Sequence, residues 1–136
     1  MEPDPFSGTW RFRADLSTMG RAAPREWTQE ILRTPEAISA TEQITHSSGR
    51  VSRVSVKAKF DGNFFPVVGS PMVDEIAYRR SDLRTISATA SKGGRVAMTE
   101  TAIISADGQS LTFEFSFVLS NGQVKNARAV FEKVSK

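Results

Sequence analysis

Cysteine is absent from these 136 residues, and histidine occurs once. No disulfide framework can form and thiolate chemistry is excluded. A zinc site would need carboxylates as ligands, and no such spacing is visible. No apolar run approaches the roughly 20 residues of a membrane-spanning helix. The opening Met1-Glu2-Pro3-Asp4-Pro5 lacks the basic and apolar regions of a signal peptide. It reads as the start of a cytoplasmic chain, or of a periplasmic or secreted one in which Met1 replaces a removed signal. Charge of one sign is also scarce, with 18 Lys and Arg against 15 Asp and Glu leaving +3. Arg11, Arg13, Arg53, Lys57, Lys59, Arg79 and Arg84 are spread over the chain, while the aromatic residues fall mostly on the apolar phase. That is the pattern of solvated strand faces. The interleaving of basic and aromatic residues that a nucleic-acid surface needs is missing. The length suits one domain over residues 1–136, large enough to bury a core without staples.

What the chain has in quantity is turns. Ser47-Ser48-Gly49, Asp61-Gly62, Ser81-Asp82, Gly93-Gly94, Asp107-Gly108 and Asn121-Gly122 punctuate it, and alternating apolar and polar residues lie between them. Asp-Gly and Asn-Gly between alternating runs signal hairpins, because these residues tolerate the positive φ of tight turns. Trp10, Phe12, Ala14 and Leu16 alternate with Arg11, Arg13 and Asp15. Residues 17–25 break the pattern and are placed to cover one end of a barrel. Trp27, Gln29 and Ile31 share a face, as do Ile38, Ala40, Glu42, Ile44 and His46, and then Val54, Val56, Ala58 and Phe60. Phe64–Val68 reads as a short or edge strand because Gly69-Ser70-Pro71 follows it. Ile76, Tyr78 and Arg80 mark another strand, and Ile86, Ala88 and Ala90 the next. Val96, Met98, Glu100, Ala102 and Ile104 share a phase, and so do Leu111, Phe113, Phe115, Phe117 and Leu119. A last strand runs to about Val134. The reading is an all-β chain: one antiparallel up-and-down barrel of about eight to ten strands, closed so that no edge is left unpaired.

Two ends and a middle carry a resemblance. Phe6-Ser7-Gly8-Thr9-Trp10 resembles the Gly-x-Trp opening of the calycin superfamily, the lipocalins and fatty-acid-binding proteins. Arg128-Ala129-Val130-Phe131-Glu132-Lys133-Val134 resembles their closing strand. Ala58 to Pro71 resembles a segment of small, uncharacterised lipocalin-like proteins in bacteria. The resemblance implies a lipocalin-like barrel with Trp10 plugging its narrow end, and Arg128 is the candidate cation over that ring. Both residues are expected to be structural. Fatty-acid-binding proteins carry Arg-x-Tyr before the terminal Glu-Lys-Val to hold the ligand carboxylate. Those positions are Ala129 and Phe131 here, so the clamp is not carried over.

Polar residues on the apolar phase are the candidates for function: Gln29, Glu42, His46, Tyr78, Arg80, Arg84 and Glu100. Buried charges must pair, neutralise or face water. Glu100 is expected either to bridge to Arg80 or Arg84, or to have its phase flipped by a bulge, or to anchor a ligand in an apolar cavity. The candidate ligand-binding set is Trp27, Glu42, Tyr78, Arg80, Glu100 and Phe115. No catalytic residue, metal or cofactor is assigned, and a haem site would rest on His46 alone. The leading function is binding of a small apolar or amphipathic molecule inside the barrel. One alternative is a barrel filled by its own side chains, Phe12, Phe60, Phe113, Phe115, Phe117 and Phe131 among them, acting through its outer surface as an inhibitor or interaction module. The other is a cofactor-free isomerase or cyclase using Glu100, Tyr78 and an arginine. Cavity volume discriminates among these readings.

Overall fold

Strict alternation in Leu111-Thr112-Phe113-Glu114-Phe115 sends one set of side chains inward and the other to solvent, and the backbone follows as strand β9, Ser110–Val118. The same logic builds β1 (Gly8–Phe12), β2 (Glu26–Arg33), β3 (Ala37–Thr45), β4 (Val51–Lys59), β5 (Phe64–Val68), β6 (Glu75–Ser81), β7 (Thr85–Lys92), β8 (Arg95–Ile104) and β10 (Val124–Lys133). The computed structural model describes residues 4–20 and 23–134, apart from the side chains of Arg80 and Ser81. Every strand pairs antiparallel with its sequence neighbour, and β1 pairs with β10, so the ten strands form a closed barrel. The expected all-β barrel is what forms. Its helical content among the described residues is a single turn of 3-10 helix at Ala14–Leu16.

The connections define two ends. The β2–β3, β4–β5, β6–β7 and β8–β9 turns form the floor, and the other four hairpin turns form the mouth. The floor is solid. Phe6, Trp10, Leu111 and Phe131 are almost completely buried there. Trp10 donates its indole N–H to the Phe6 carbonyl at 3.0 Å. The cation over its ring is Lys133, with Nζ 5.4 Å from the ring centroid. This corrects the expected contact with Arg128. Trp10 stands opposite Lys133 in the β1–β10 ladder, whereas Arg128 lies on the outward phase and bonds Glu114 at 2.9 Å.

Arg33 completes the floor, a role that the alternation alone does not reveal. It shares the inward phase of Trp27, Gln29 and Ile31, and its side chain is 6% exposed. Its guanidinium pairs with Asp4 at 2.6 Å, donates to the carbonyls of Asp82 and Leu83, and lies 4.5 Å over the Phe6 ring. One buried cation thus fastens the N-terminal segment and the β6–β7 turn to the end of β2. A buried charge persists only when held by this many partners.

Two bulges re-aim residues. The β7–β8 register shifts at Ala90/Ser91, placing Val96 opposite Ser91 and Met98 opposite Ala90. Val96 therefore turns outward, 49% exposed, against the expectation that it shares the phase of Met98 and Glu100. Glu100 keeps its inward phase. The β6–β7 ladder shifts between Tyr78 and Arg80. Arg84, expected inside, is exposed in the β6–β7 turn. β5 is short, as read, but lies within the ring, joined by two register pairs to β4 and three to β6. Gly69 follows it at φ +92°, and a Cβ there would collide with the Arg53 carbonyl oxygen. Only glycine lets the chain leave β5 so close to β4.

Trp10→Ala removes a fully buried aromatic from a floor with little room to collapse. It should lower the unfolding free energy by about 3–5 kcal/mol in urea titrations. Arg128→Ala, on the solvent face, should leave the midpoint nearly unchanged.

Candidate functional site

The interior divides across its width. On the side of β1, β2, β9 and β10, aromatic rings crowd the space. Phe131 is the hub, meeting Trp27 at 4.9 Å, Phe12 at 5.7 Å and Phe113 at 5.6 Å between ring centroids. From it a stacked series, Phe113, Phe115 and Phe117, climbs β9 toward the mouth at 5.7 Å and 5.6 Å spacings. Beyond these rings the barrel is open. A cavity of about 540 Å³ runs up to a rim that includes Met19, His46, Met72, Leu119 and Lys125. That volume lies within the roughly 300–1,000 Å³ typical of small-molecule sites. Met19 and Pro24 contribute to its wall, so part of the 17–25 segment covers this end as expected. The segment is fixed by the paired amides and carbonyls of Thr18 and Arg128, at 2.8 and 2.9 Å.

Most of the wall is aliphatic or aromatic: Ile31, Ile38, Val54, Val56, Ile76 and Ile86 among others. Three acidic side chains enter it from three strands. Glu42 comes from β3, Tyr78 from β6 and Glu100 from β8. In a ring of ten strands β3 and β8 stand on opposite walls, so the two glutamates enter the cavity from opposite sides. One Glu42 oxygen accepts the Trp27 indole N–H at 2.7 Å. Glu100 is flanked in register by Ala88 and Phe115, neither of which offers a side-chain donor. Both carboxyls are enclosed by the wall, and their remaining accessible surface faces the cavity. Among the described residues, every fully enclosed side-chain nitrogen and oxygen has a partner.

Burial dominates the acid–base behaviour of this group. Loss of water pushes Glu42 up to about 7, opposed by the indole hydrogen bond. It pushes Glu100 up to about 8, and the negative charge of Glu42 adds to the rise. Burial raises Tyr78 well above its ordinary value, with Glu100 and Glu42 reinforcing it. Like charges sharing a low-dielectric space raise one another in this way. The expected bridge from Arg84 to Glu100 does not form, because Arg84 sits in an exposed turn. The Arg80 side chain lies outside the described residues. No described arginine or lysine makes an ion pair with Glu42 or Glu100.

The structure therefore brings Trp27, Glu42, Tyr78, Glu100 and Phe115 of the sequence-derived set to one cavity. Gln29 also lines it. His46 sits at the rim, its Nε2 within 2.8 Å of the Ser52 hydroxyl. Ala129 and Phe131, where a carboxylate clamp would stand, are fully buried and apolar. Among the described residues no cluster of His, Asp or Glu could hold a metal ion. Sequence reasoning missed Met19 and Met72, which reach the rim from the connections before β2 and β6, and Lys125, which reaches it from the start of β10, places where alternation gives no guidance.

No protein-family model matches this sequence, and no curated protein does. Solved structures do. The zebrafish ileal bile acid-binding protein, in complex with cholic acid, is 15% identical with a TM-score of 0.61, over 96% of this chain and 99% of its own. Rv2717c from M. tuberculosis is 12% identical with a TM-score of 0.59, over 96% of this chain and 94% of its own. At these identities the likeness is one of fold: the chain has the calycin fold, an antiparallel barrel closed by its first and last strands.

Raised carboxyl values link stability to pH. The native state holds protons on Glu42 and Glu100 more tightly than the unfolded chain, whose carboxyls titrate near 4.5. Their stabilising contribution is complete below that value and is lost as pH rises through about 7 and about 8. Glu100→Gln should therefore gain stability over the wild type on the order of 2–4 kcal/mol at pH 9 and little at pH 5, read from urea unfolding across that range.

Proposed function

We propose that this chain binds a small apolar or amphipathic molecule in the cavity of its barrel, as one lipocalin-like domain. The cavity carries the reading. It is enclosed on the floor side by aromatic packing, lined mostly by apolar groups and open toward the mouth, and it holds a few inward polar atoms. An apolar ligand gains from leaving water, and the polar atoms fix its orientation. The similar zebrafish barrel, which holds cholic acid, supports the reading by analogy of fold.

The filled-barrel alternative accounts only for the side of the barrel where Phe12, Phe113 and Phe131 pack on one another. The aromatic residues expected to fill the whole interior instead form one wall of the cavity and its base.

The neutral fluorophore N-phenylnaphthylamine should show saturable enhancement with the protein. Ala40→Phe on β3 and Ala102→Leu on the opposite wall project into the cavity. Each should weaken binding about tenfold or more, equivalent to about 1.4 kcal/mol, while the far-ultraviolet circular dichroism stays native. Non-saturable enhancement, or saturable binding indifferent to both substitutions, would sink the cavity reading.

A further inference from the structure

The cavity contains more acid than a plain hydrophobic carrier needs. Glu42 and Glu100 project from opposite walls, with Tyr78 between them in the strand order. The side chains of Glu100 and Tyr78 make no hydrogen bond to another described residue, and one Glu42 oxygen has the Trp27 indole as its donor. Because no fully enclosed polar atom lacks a partner, the partnerless oxygens of Glu100 and Tyr78 face accessible cavity space. Unpartnered polar atoms inside a protein call for a partner from outside it.

The other groups facing this acid cluster do not supply one. Across the neighbouring strands stand Trp27 and Gln29 of β2, Val54 and Val56 of β4, Ile86 and Ala88 of β7, and Phe115 of β9. The described titratable groups left on the wall, His46 and Lys125, are both at the rim. Lys125 is solvent-exposed there and forms no ion pair with either glutamate.

We propose that the ligand's polar group is a protonated amine, seated between Glu42 and Glu100 beside Tyr78, on an apolar body that fills the rest of the cavity. This rests on the cavity-binding reading above and adds the head-group chemistry. An ammonium has donors only, can bond one carboxylate directly, and brings a positive charge that favours ionisation of the other. Its charge offsets a repulsion that otherwise keeps protons on the pair. Trp27, Phe115 and Phe117 line the same cavity, and a desolvated cation that reaches an aromatic ring gains a further attraction. A carboxylate ligand would add a third acid to the cluster, and the inward positions suited to clamp it are Ala129 and Phe131. An alcohol could donate to the same oxygens but would bring no charge.

The head group can be varied on one body. At pH 8, n-decylammonium, n-decanol and n-decanoate, each below its micelle concentration, compete with N-phenylnaphthylamine on the full chain. The ammonium should displace the probe at a concentration about 30-fold or more below that of the decanoate, the size expected for a buried charge pair gained rather than a buried like charge added. Its affinity should rise from pH 6 to pH 9, because seating a cation releases protons from the carboxyls. Glu100→Gln and Glu42→Gln, which keep size and an acceptor oxygen, should each reduce the ammonium's advantage about tenfold and flatten its pH dependence. Decanol, which carries no charge, should lose less affinity than the ammonium in each variant, and native far-ultraviolet circular dichroism checks that the variants are folded. Decanoate binding as well as decylammonium, or both Gln variants weakening all three amphiphiles alike, would overturn the amine assignment. If that happened while Ala40→Phe still blocked the probe, cavity binding would stand and the amine alone would fall. Absence of binding by the probe and by all three amphiphiles would overturn both.

Discussion

Ring closure is the constraint from which the rest follows. A meander of hairpins has two edge strands, and here β1 and β10 remove both by pairing with each other. That ladder has only three register pairs, so side chains must hold it shut. Trp10 does so from inside, with its indole on the Phe6 carbonyl and Lys133 of the opposite strand over its ring. Glu132 does so from outside, accepting from Arg11 and Arg13. The outer pairs are solvent-exposed and contribute little individually. The buried indole, with no accessible surface, stabilises the closure more than they do.

Closure also fixes what each inward residue can do. In an open sheet, an inward polar side chain can turn to an edge and find water. In a closed barrel it meets packing, a partner or a cavity. Arg33 meets partners: Asp4, two backbone carbonyls of the β6–β7 turn and the face of Phe6. Trp10 and Phe131 meet packing. Glu100 and Tyr78 meet the cavity. The packed side and the open space thus arise from one alternation pattern, in which bulky rings on β1, β2, β9 and β10 crowd one side and smaller residues such as Ala40 on β3 and Ala102 on β8 leave room beside them.

The fold is readable because alternation and turn chemistry are local properties. Leu111 to Val118 needs no partner to be recognised as a half-buried strand. Long-range register is not readable. Trp10 is expected to meet a cation from the last strand, and it does, but the register selects Lys133 in place of Arg128. A bulge is equally invisible from one strand. Val96 turns outward because β7 and β8 disagree by one residue at Ala90/Ser91, and nothing around Val96 itself announces this. Arg33 has a signal, since it continues the Trp27, Gln29 and Ile31 phase. Its partner Asp4 lies 29 residues away, in a segment that carries no alternation. Of the candidate site, the inward phase of Glu42, Tyr78 and Glu100 is legible. Their separation from any described cation is not, because it depends on where Arg84 leaves the ladder.

That separation sets the balance between stability and binding. Two carboxyls held at about 7 and about 8 oppose folding at neutral and higher pH, because the unfolded chain would ionise them freely. Replacing either by an amide would relieve the strain at no cost in volume. A cavity wall made only for packing would gain nothing from these acids. On the amine-binding proposal, their presence on opposite walls of an open cavity leaves the electrostatics of the native state to be completed by a bound cation. Any molecule that binds the ionised pair binds the folded chain alone, so its binding free energy adds directly to the stability of the barrel.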